Sequence, residues 1–403
     1  MVKSNEIHSS TEEALLPIAP AGHEYLLRPE IAFLNHGSFG ASPRPVFETY
    51  QRWQRELAYQ PVEFLGRRLD GLLAEARAAL ATYLGTQADH LVFVPNATHG
   101  MNIVARSLRL AAGDEVLLTD HEYGAVERTW RFICAQAGAS CRIQPIALPV
   151  TSADALIDQL WEGVTERTRV IVVSHITSPT ALIFPVAAIC RRAAAQGILT
   201  VIDGAHAPGQ IDVALDALQA DFYMGNCHKW LSAPPGAGFL YARPDRQPLL
   251  HPLIVSWGWQ AERPGPSPFQ DYFGWTGTSD PAAYLSVPAA IAFQEKHHWT
   301  EVRAACHRLA GLARERVAAL TGLEHICPDA SEWWNQLCSI PLPVPERAVA
   351  DALKQNLWER YQVEVPIVAW NNRFFVRISI QAYNTPHDVD RLIDGLAHLL
   401  QLP

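Results

Sequence analysis

An acidic residue, Asp203, ends the apolar segment 198–203, and the small residues Gly204 and Ala205 follow it. An acid at the end of a buried strand costs desolvation energy unless it has a partner. Asp203 could cap the start of a helix, a position that aspartate favours. The small residues after it leave room for a bulky group, so Asp203 could instead pair with a ligand.

A lysine, Lys229, follows the short apolar segment 221–224 and precedes a turn of small residues at 233–238. Apolar neighbours are expected to desolvate Lys229, which lowers the pKa of its ammonium group and suits Schiff-base formation. Without further evidence, Lys229 could equally be a lysine whose side chain extends along apolar neighbours to the surface.

A third segment, Asn96-Ala97-Thr98, begins a predicted helix just after the apolar strand 91–94. Backbone N–H groups at a helix start point towards an anion, and the helix dipole favours it. Pyridoxal 5'-phosphate (PLP) needs a phosphate cradle, an acid for its pyridine nitrogen and a lysine for its aldehyde. The three segments supply these groups in chain order and predict a PLP-dependent enzyme.

The elements around these segments alternate between strand and helix. Segments 115–118, 169–174, 198–203 and 221–224 are predicted strands, and 122–137 and 186–196 are predicted helices. Nearly continuous apolar strands of this kind form a mainly parallel sheet covered by helices on both faces. Sites in such α/β folds lie where strands end. We predict an arm at 1–30, a large domain at 31–285 and a smaller α+β domain at 286–403.

Three further segments extend the argument to nearly the whole chain: 225–231 (GNCHKWL), 275–280 (WTGTSD) and 376–379 (VRIS). Together with the order cradle, acid, lysine, they resemble the class V aminotransferase family of fold-type I PLP enzymes. The resemblance runs from about Phe33 to Asn384 and is strongest to the isopenicillin N epimerase-like branch. It implies a seven-stranded sheet in the large domain.

The resemblance also implies a role for each matching residue. Lys229 would hold PLP as a Schiff base and move the α-proton, Asp203 would pair with the pyridine nitrogen, and His206 would contact the phenolic oxygen. Arg377 would bind the substrate carboxylate in a bidentate manner. The residues implied at the phosphate are Ala97, Thr98, Asn226 and His228, with Gly277 and Thr278 from a second subunit of a homodimer.

Three positions leave alternatives open. Tyr123 stands where better-known family members have a histidine that stacks on the cofactor; it could stack and act as an acid, or only pack in the wall. Ser178 stands where many members carry an asparagine near the substrate carboxylate. The segment 35–40, with Asn35 and His36, matches the branch and lies beside the ligand or forms an ordinary turn.

The reaction type is a separate question, because enzymes that share PLP diverge after the first step. Cysteine desulfuration would need a nucleophilic cysteine before Arg377, and residues 358–372 contain none. We predict an epimerase or racemase in which Lys229 serves one face of the substrate and Tyr123 or His36 the other. A carbon–sulfur β-lyase acting on a cysteine conjugate or sulfoxide is the alternative, followed by an aminotransferase and by a PLP-binding protein without turnover.

Composition excludes other classes. The net charge of -9 is spread along the chain without a basic patch, which argues against nucleic-acid binding. No apolar run is long enough to span a bilayer, and the first ten residues are polar, so no membrane partner and a cytoplasmic location are expected. The seven cysteines include no C-x-x-C pair, so no metal site is predicted. A nucleotide-binding domain is expected to have a G-x-G-x-x-G turn after its first strand, and residues 95–100 lack this motif.

Overall fold

The computed structural model describes residues 17–402, which form two compact units. The larger unit consists of Pro45–Ser178 and Ile183–Phe293. The smaller unit consists of the described residues up to Arg44, Pro179–Leu182, and the described residues from Gln294 onward. Of the predicted arm, residues 1–16 lie outside the described part of the chain.

The larger unit is built on a seven-stranded sheet with the order β2-β8-β7-β6-β5-β3-β4. Strand β8 is antiparallel to both of its neighbours, and the other pairings are parallel. Its strands are β2 (Leu91–Val94), β3 (Glu115–Thr119), β4 (Ser140–Gln144), β5 (Thr168–Ser174), β6 (Leu199–Gly204), β7 (Phe222–Asn226) and β8 (Gly238–Ala242).

The central strands are buried on both sides. Every residue of β3, β7 and β8 is buried, and successive strand residues point to opposite faces. Both faces of the sheet are therefore covered, which confirms the predicted α/β fold with a mainly parallel sheet. The helices of this unit are Arg44–Tyr59, Pro61–Glu63, Leu69–Tyr83, Ala97–Ser107, Gly124–Ala137, Ala153–Trp161, Val186–Ala194, Leu215–Leu218, Pro268–Gly274, Ala282–Leu285 and Val287–Lys296, with a π-helical turn at Phe64–Arg68.

The smaller unit contains a three-stranded antiparallel sheet of β9 (Leu337–Leu342), β11 (Ile367–Trp370) and β12 (Arg373–Ser379), with β12 in the centre. A second, two-stranded sheet pairs β1 (Ala32–Phe33) with β10 (Val363–Glu364) in parallel. The helices of this unit are His36–Phe39, Trp299–Thr321, Arg347–Tyr361 and Pro386–Leu400.

The predicted elements differ from the observed ones mainly at their ends. The helix predicted at 122–137 begins at Gly124, with Tyr123 as its N-cap residue. The predicted strand at 198–203 runs one residue later, over Leu199–Gly204. Strands β4 and β8 were not predicted. Among residues 17–402, no helix is long and apolar enough to cross a membrane.

Candidate active site

The chain holds four lysines: Lys3, Lys229, Lys296 and Lys354. Lys229 follows β7 and is half-buried, whereas Lys296 and Lys354 are exposed and Lys3 lies outside the described residues. The amine nitrogen of Lys229 lies 3.0 Å from Nε2 of His206. This contact brings together the loops that follow β6 and β7, as expected for neighbouring parallel strands that end at the same edge of a sheet.

His206 is held from its other side as well. The indole N–H of Trp230, the residue after Lys229, donates to Nδ1 of His206 over 3.3 Å. The carbonyl oxygen of His206 accepts a hydrogen bond from the side chain of Gln210 at 2.8 Å. All three of these residues are buried, so the imidazole has a fixed orientation towards Lys229.

Asp203 lies at the end of β6 and is buried. Burial raises the pKa of its carboxyl, while a hydrogen bond from the N–H of Ala205 and the charge that Lys229 carries when it is protonated act in the opposite direction. The carboxylate accepts that N–H at 2.9 Å. A carboxyl in this setting gains from a cationic partner, which a protonated pyridine nitrogen supplies.

The sequence suggested that Gly204 leaves room for a bulky ligand, but the structure gives another reason for a glycine at this position. A Cβ at this position would come within 2.1 Å of the ring of Tyr223. Tyr223 is fully buried and its hydroxyl lies 2.9 Å from Nδ1 of His175. The space beside Gly204 is thus filled by Tyr223 and is not open to a ligand from that side.

A second buried acid, Glu122, lies next to Tyr123. Its two carboxyl oxygens accept hydrogen bonds from the hydroxyls of Thr119 at 2.7 Å and Ser174 at 2.6 Å. Burial raises the pKa of Glu122 to about 8, and the nearby charge of Asp203 adds to this shift. Glu122 therefore joins the ends of β3 and β5, and its raised pKa favours the protonated, neutral form near pH 7.

Tyr123 stands at the start of the helix Gly124–Ala137, and its side chain is half-exposed. Its backbone carbonyl accepts from the N–H of Val126 at 2.8 Å, which fixes the turn. Ser178 lies four residues beyond the end of β5. The structure thus places Tyr123 and Ser178 in the segments that follow β3 and β5.

The predicted phosphate cradle lies at the start of the helix Ala97–Ser107. Asn96 caps this helix by accepting the N–H of His99 at 2.9 Å, and Thr98 is exposed in its first turn. The N–H of Ala97, however, donates to the side chain of Asn226 at 2.8 Å. Ala97 and Asn226 thus bind each other, and this bond ties the helix start to the end of β7.

His228 carries a buried polar atom that lacks a partner. Its Nδ1 is buried and has no hydrogen-bond partner among the described residues. A buried polar atom without a partner is costly and is expected to gain one from a ligand. With Thr98 at a helix start, the lone Nδ1 of His228, the buried Asp203 and the half-buried Lys229, the residues present fit PLP.

Gly277 and Thr278 lie in the loop between the helices Pro268–Gly274 and Ala282–Leu285. Gly277 has a φ of 121°, a backbone conformation that side chains with a Cβ rarely adopt. This geometry explains the glycine of the segment 275–280 without reference to a ligand.

The smaller unit contains Arg377, on β12, and the segment that begins at Asn35. Nη2 of Arg377 donates to the hydroxyl of Ser38 at 3.2 Å, and that hydroxyl donates to the side-chain oxygen of Asn35 at 2.5 Å. The amide of Asn35 in turn donates to Glu364 at 2.9 Å. Arg377 is thus oriented by a chain of three hydrogen bonds.

His36 is fully buried in the smaller unit. Its Nδ1 lies 3.1 Å from the hydroxyl of Tyr383, and its Nε2 lies 3.3 Å from the side-chain amide of Gln381. Both ring nitrogens thus have partners within this unit. These contacts favour a role in fixing the segment that begins at Asn35.

Comparison with known proteins decides the family. Residues 41–392 match the family described as aminotransferase class-V. The chain belongs to this family. It is therefore a PLP-dependent enzyme, as the sequence predicted.

Individual relatives agree with this assignment. The chain is 37% identical to isopenicillin N epimerase of Amycolatopsis lactamdurans over 94% of this chain and 98% of the relative. It is 30% identical to putative L-cysteine desulfhydrase 1 of Oryza sativa subsp. japonica over 92% of this chain and 83% of the relative. A solved structure of a C-DES mutant with glycine covalently linked to PLP covers 96% of this chain and all of its own, with a TM-score of 0.81 and 23% identity.

Several site neighbours were not predicted from the sequence. Glu122, Trp230, Ser38 and Glu364 are bonded to predicted site residues or lie beside them. Three of them were within reach of the sequence, because they stand within the quoted segments or next to a predicted site residue. Glu364 offered no such signal, since it contacts Asn35 from 329 residues away along the chain.

Proposed function

We propose that this enzyme epimerises an amino acid by removing the α-proton from one face and returning a proton to the other. The similarity to isopenicillin N epimerase carries this proposal, since it spans 94% of this chain at 37% identity. PLP, when bound, withdraws electrons from the substrate and so acidifies the C–H bond at the α-carbon.

In this proposal Lys229 attaches the cofactor and exchanges the α-proton on one face. His206 orients the amine of Lys229 through the 3.0 Å contact. Asp203 keeps the pyridine nitrogen protonated. Its burial supports this role, because a buried carboxylate needs a cationic partner. Tyr123 serves the other face, because its phenol is half-exposed whereas His36 is enclosed by its own unit.

The remaining assignments concern binding. Arg377 binds the substrate carboxylate, helped by Ser178 and Asn35. Thr98 and His228 bind the cofactor phosphate, and Ala97 and Asn226 hold that region together through their mutual hydrogen bond. Gly277 and Thr278 complete the phosphate site of a second subunit, so the active form is a homodimer. The cytoplasmic location predicted above stays a prediction.

A carbon–sulfur lyase is the second candidate, because the rice relative described as a putative L-cysteine desulfhydrase is 30% identical over 92% of this chain. Such a reaction removes the same α-proton and then expels a sulfur group from Cβ. Desulfuration through a protein thiol is not supported. Six of the seven cysteines are buried, and burial raises the pKa of Cys338 to about 12, which leaves it as an unreactive thiol.

The two candidates give different products from the same assay. The PLP-loaded enzyme is incubated with single enantiomers of amino acids and with cysteine conjugates, and the products are separated on a chiral column and tested for keto acid. Formation of the other enantiomer without keto acid supports the epimerase. If the conjugates instead yield pyruvate, ammonia and a free thiol, the enzyme is a carbon–sulfur lyase and the epimerase proposal is wrong.

A further inference from the structure

Trp230 is fully buried and follows Lys229 directly. Its Nε1 lies 3.3 Å from Nδ1 of His206. An indole N–H can only donate a hydrogen bond, so Nδ1 of His206 must accept it. The contact thus determines which ring nitrogen of His206 carries the lone pair.

The proton of a neutral His206 is then on Nε2, since a neutral imidazole has one donor nitrogen and one acceptor nitrogen. A doubly protonated ring would place two donors face to face at Trp230. The Nε2–H of His206 points at the amine of Lys229 across 3.0 Å. An ammonium group has no lone pair to accept this hydrogen, so this tautomer of His206 matches an uncharged amine on Lys229.

The surroundings hold this geometry. A Cβ on Gly209, at a φ of 90°, would come within 2.3 Å of the backbone of Trp230, so the loop after β6 passes directly against Trp230. The bond from Gln210 to the carbonyl of His206 fixes the same loop.

We propose that Trp230 is a positioning residue that selects the Nε2–H tautomer of His206 and thereby holds Lys229 as a neutral, nucleophilic amine. When PLP binds, this amine would add to its aldehyde carbon, and a C=N bond would form with the loss of one water. This proposal rests on the proposed role of Lys229 as the attachment residue. Trp230 acts through His206 and does not itself touch the reacting atoms.

The test measures how fast PLP attaches to the apoprotein, followed by absorbance and without any substrate. Trp230→Phe keeps an aromatic ring but removes the N–H. We expect attachment to become roughly fivefold slower, the value of one ordinary hydrogen bond. The matched control is Trp334→Phe, because Trp334 is also buried but its indole nitrogen has no hydrogen-bond partner among the described residues.

A double-variant cycle separates the tautomer from simple packing. In a His206→Ala background, Trp230→Phe should cause no further slowing. Equal slowing with and without His206, or equal rates for Trp230→Phe and wild type, would overturn the proposal. If PLP is found on another lysine, the proposed role of Lys229 fails instead, which is a distinct outcome.

If Trp230→Phe does not fold, the tautomer of His206 can be measured directly in the unaltered apoprotein. Nitrogen-15 labelling of the histidines reports by NMR which ring nitrogen of His206 is protonated, with His206→Ala used to assign the signal. A proton on Nε2 supports the proposal. A proton on Nδ1, or on both nitrogens, contradicts it.

Discussion

The amine of Lys229 and Nε2 of His206 lie 3.0 Å apart, although the two residues stand 23 positions apart in the sequence. The contact joins two loops that follow adjacent parallel strands, β6 and β7. It sets Lys229, the proposed attachment residue, beside an imidazole whose Nδ1 accepts a hydrogen bond from Trp230. This relationship gives the first prediction.

Replacing Lys229 by Ala removes both the attachment point and the proposed proton carrier. We expect loss of the absorbance of lysine-bound PLP and a fall of about 10³-fold in the rate of substrate α-proton exchange, within the usual range for a lost acid–base group. Absorbance spectra and proton NMR in heavy water measure the two effects. Lys354→Ala is the matched control, since Lys354 is exposed, and it should behave as wild type.

Replacing Asp203 by Asn keeps the size of the side chain but removes its negative charge. The buried carboxyl would no longer offset a protonated pyridine nitrogen, so kcat should fall by about 10²-fold or more, while KM changes less. Steady-state kinetics of the PLP-loaded variant measure this split. A variant that keeps full kcat would show that Asp203 is a structural cap of the loop after β6.

The pH dependence of stability should report on Glu122. Burial raises the pKa of its carboxyl from 4.5 to about 8 in the folded protein. Between these values the folded state binds a proton that the unfolded chain has lost, so the contribution of Glu122 to the free energy of unfolding falls as the pH rises. Above about 8 both states are ionised and this decline ends.

Glu122→Gln removes this effect and keeps an uncharged side chain of similar shape. The free energy of unfolding of this variant, relative to that of wild type, should increase between pH 4.5 and about 8. The full pKa shift of Glu122 sets an upper bound of roughly 5 kcal/mol on this increase. Urea denaturation at several pH values measures the difference. Parallel curves for the two proteins would mean that Glu122 is ionised in the folded state.

Arg377 should affect substrate binding through its carboxylate contact. For Arg377→Ala we expect KM to rise by about 10²-fold or more, as for a lost charge-assisted bidentate pair. Ser38→Ala removes the hydroxyl that accepts from Arg377 and should raise KM about fivefold, with kcat nearly unchanged. Arg373→Ala is the control, because Arg373 is exposed on the same strand β12. A KM that rises equally in Arg373→Ala would remove the specific role of Arg377.

The strands that end at the site could be predicted, because each is short, apolar and followed by small or polar residues. Residues 91–94 were predicted at the observed limits of β2. Strand β4 was missed because none of its five residues is buried. Strand β8 received no prediction, and only its first residue, Gly238, belongs to the small-residue turn predicted after Lys229.

The side-chain contacts behind the site could not be predicted from local patterns. Ser174 reaches Glu122 across 52 positions, and Ser38 reaches Arg377 across 339. Such pairs depend on how strands and loops are placed in space, which hydrophobic periodicity does not encode. The buried state of His36 was hidden for the same reason, since Tyr383 and Gln381 come from the far end of the sequence.

The most direct test of the account is to locate the bound PLP. The loaded enzyme is treated with borohydride, which fixes the bond between cofactor and lysine, and its peptides are mapped by mass spectrometry. The chain contains only Lys3, Lys229, Lys296 and Lys354, so the outcome is unambiguous. We predict the label on the peptide that contains Lys229. A label on another lysine, or no label on an enzyme that still turns over substrate, would contradict the account.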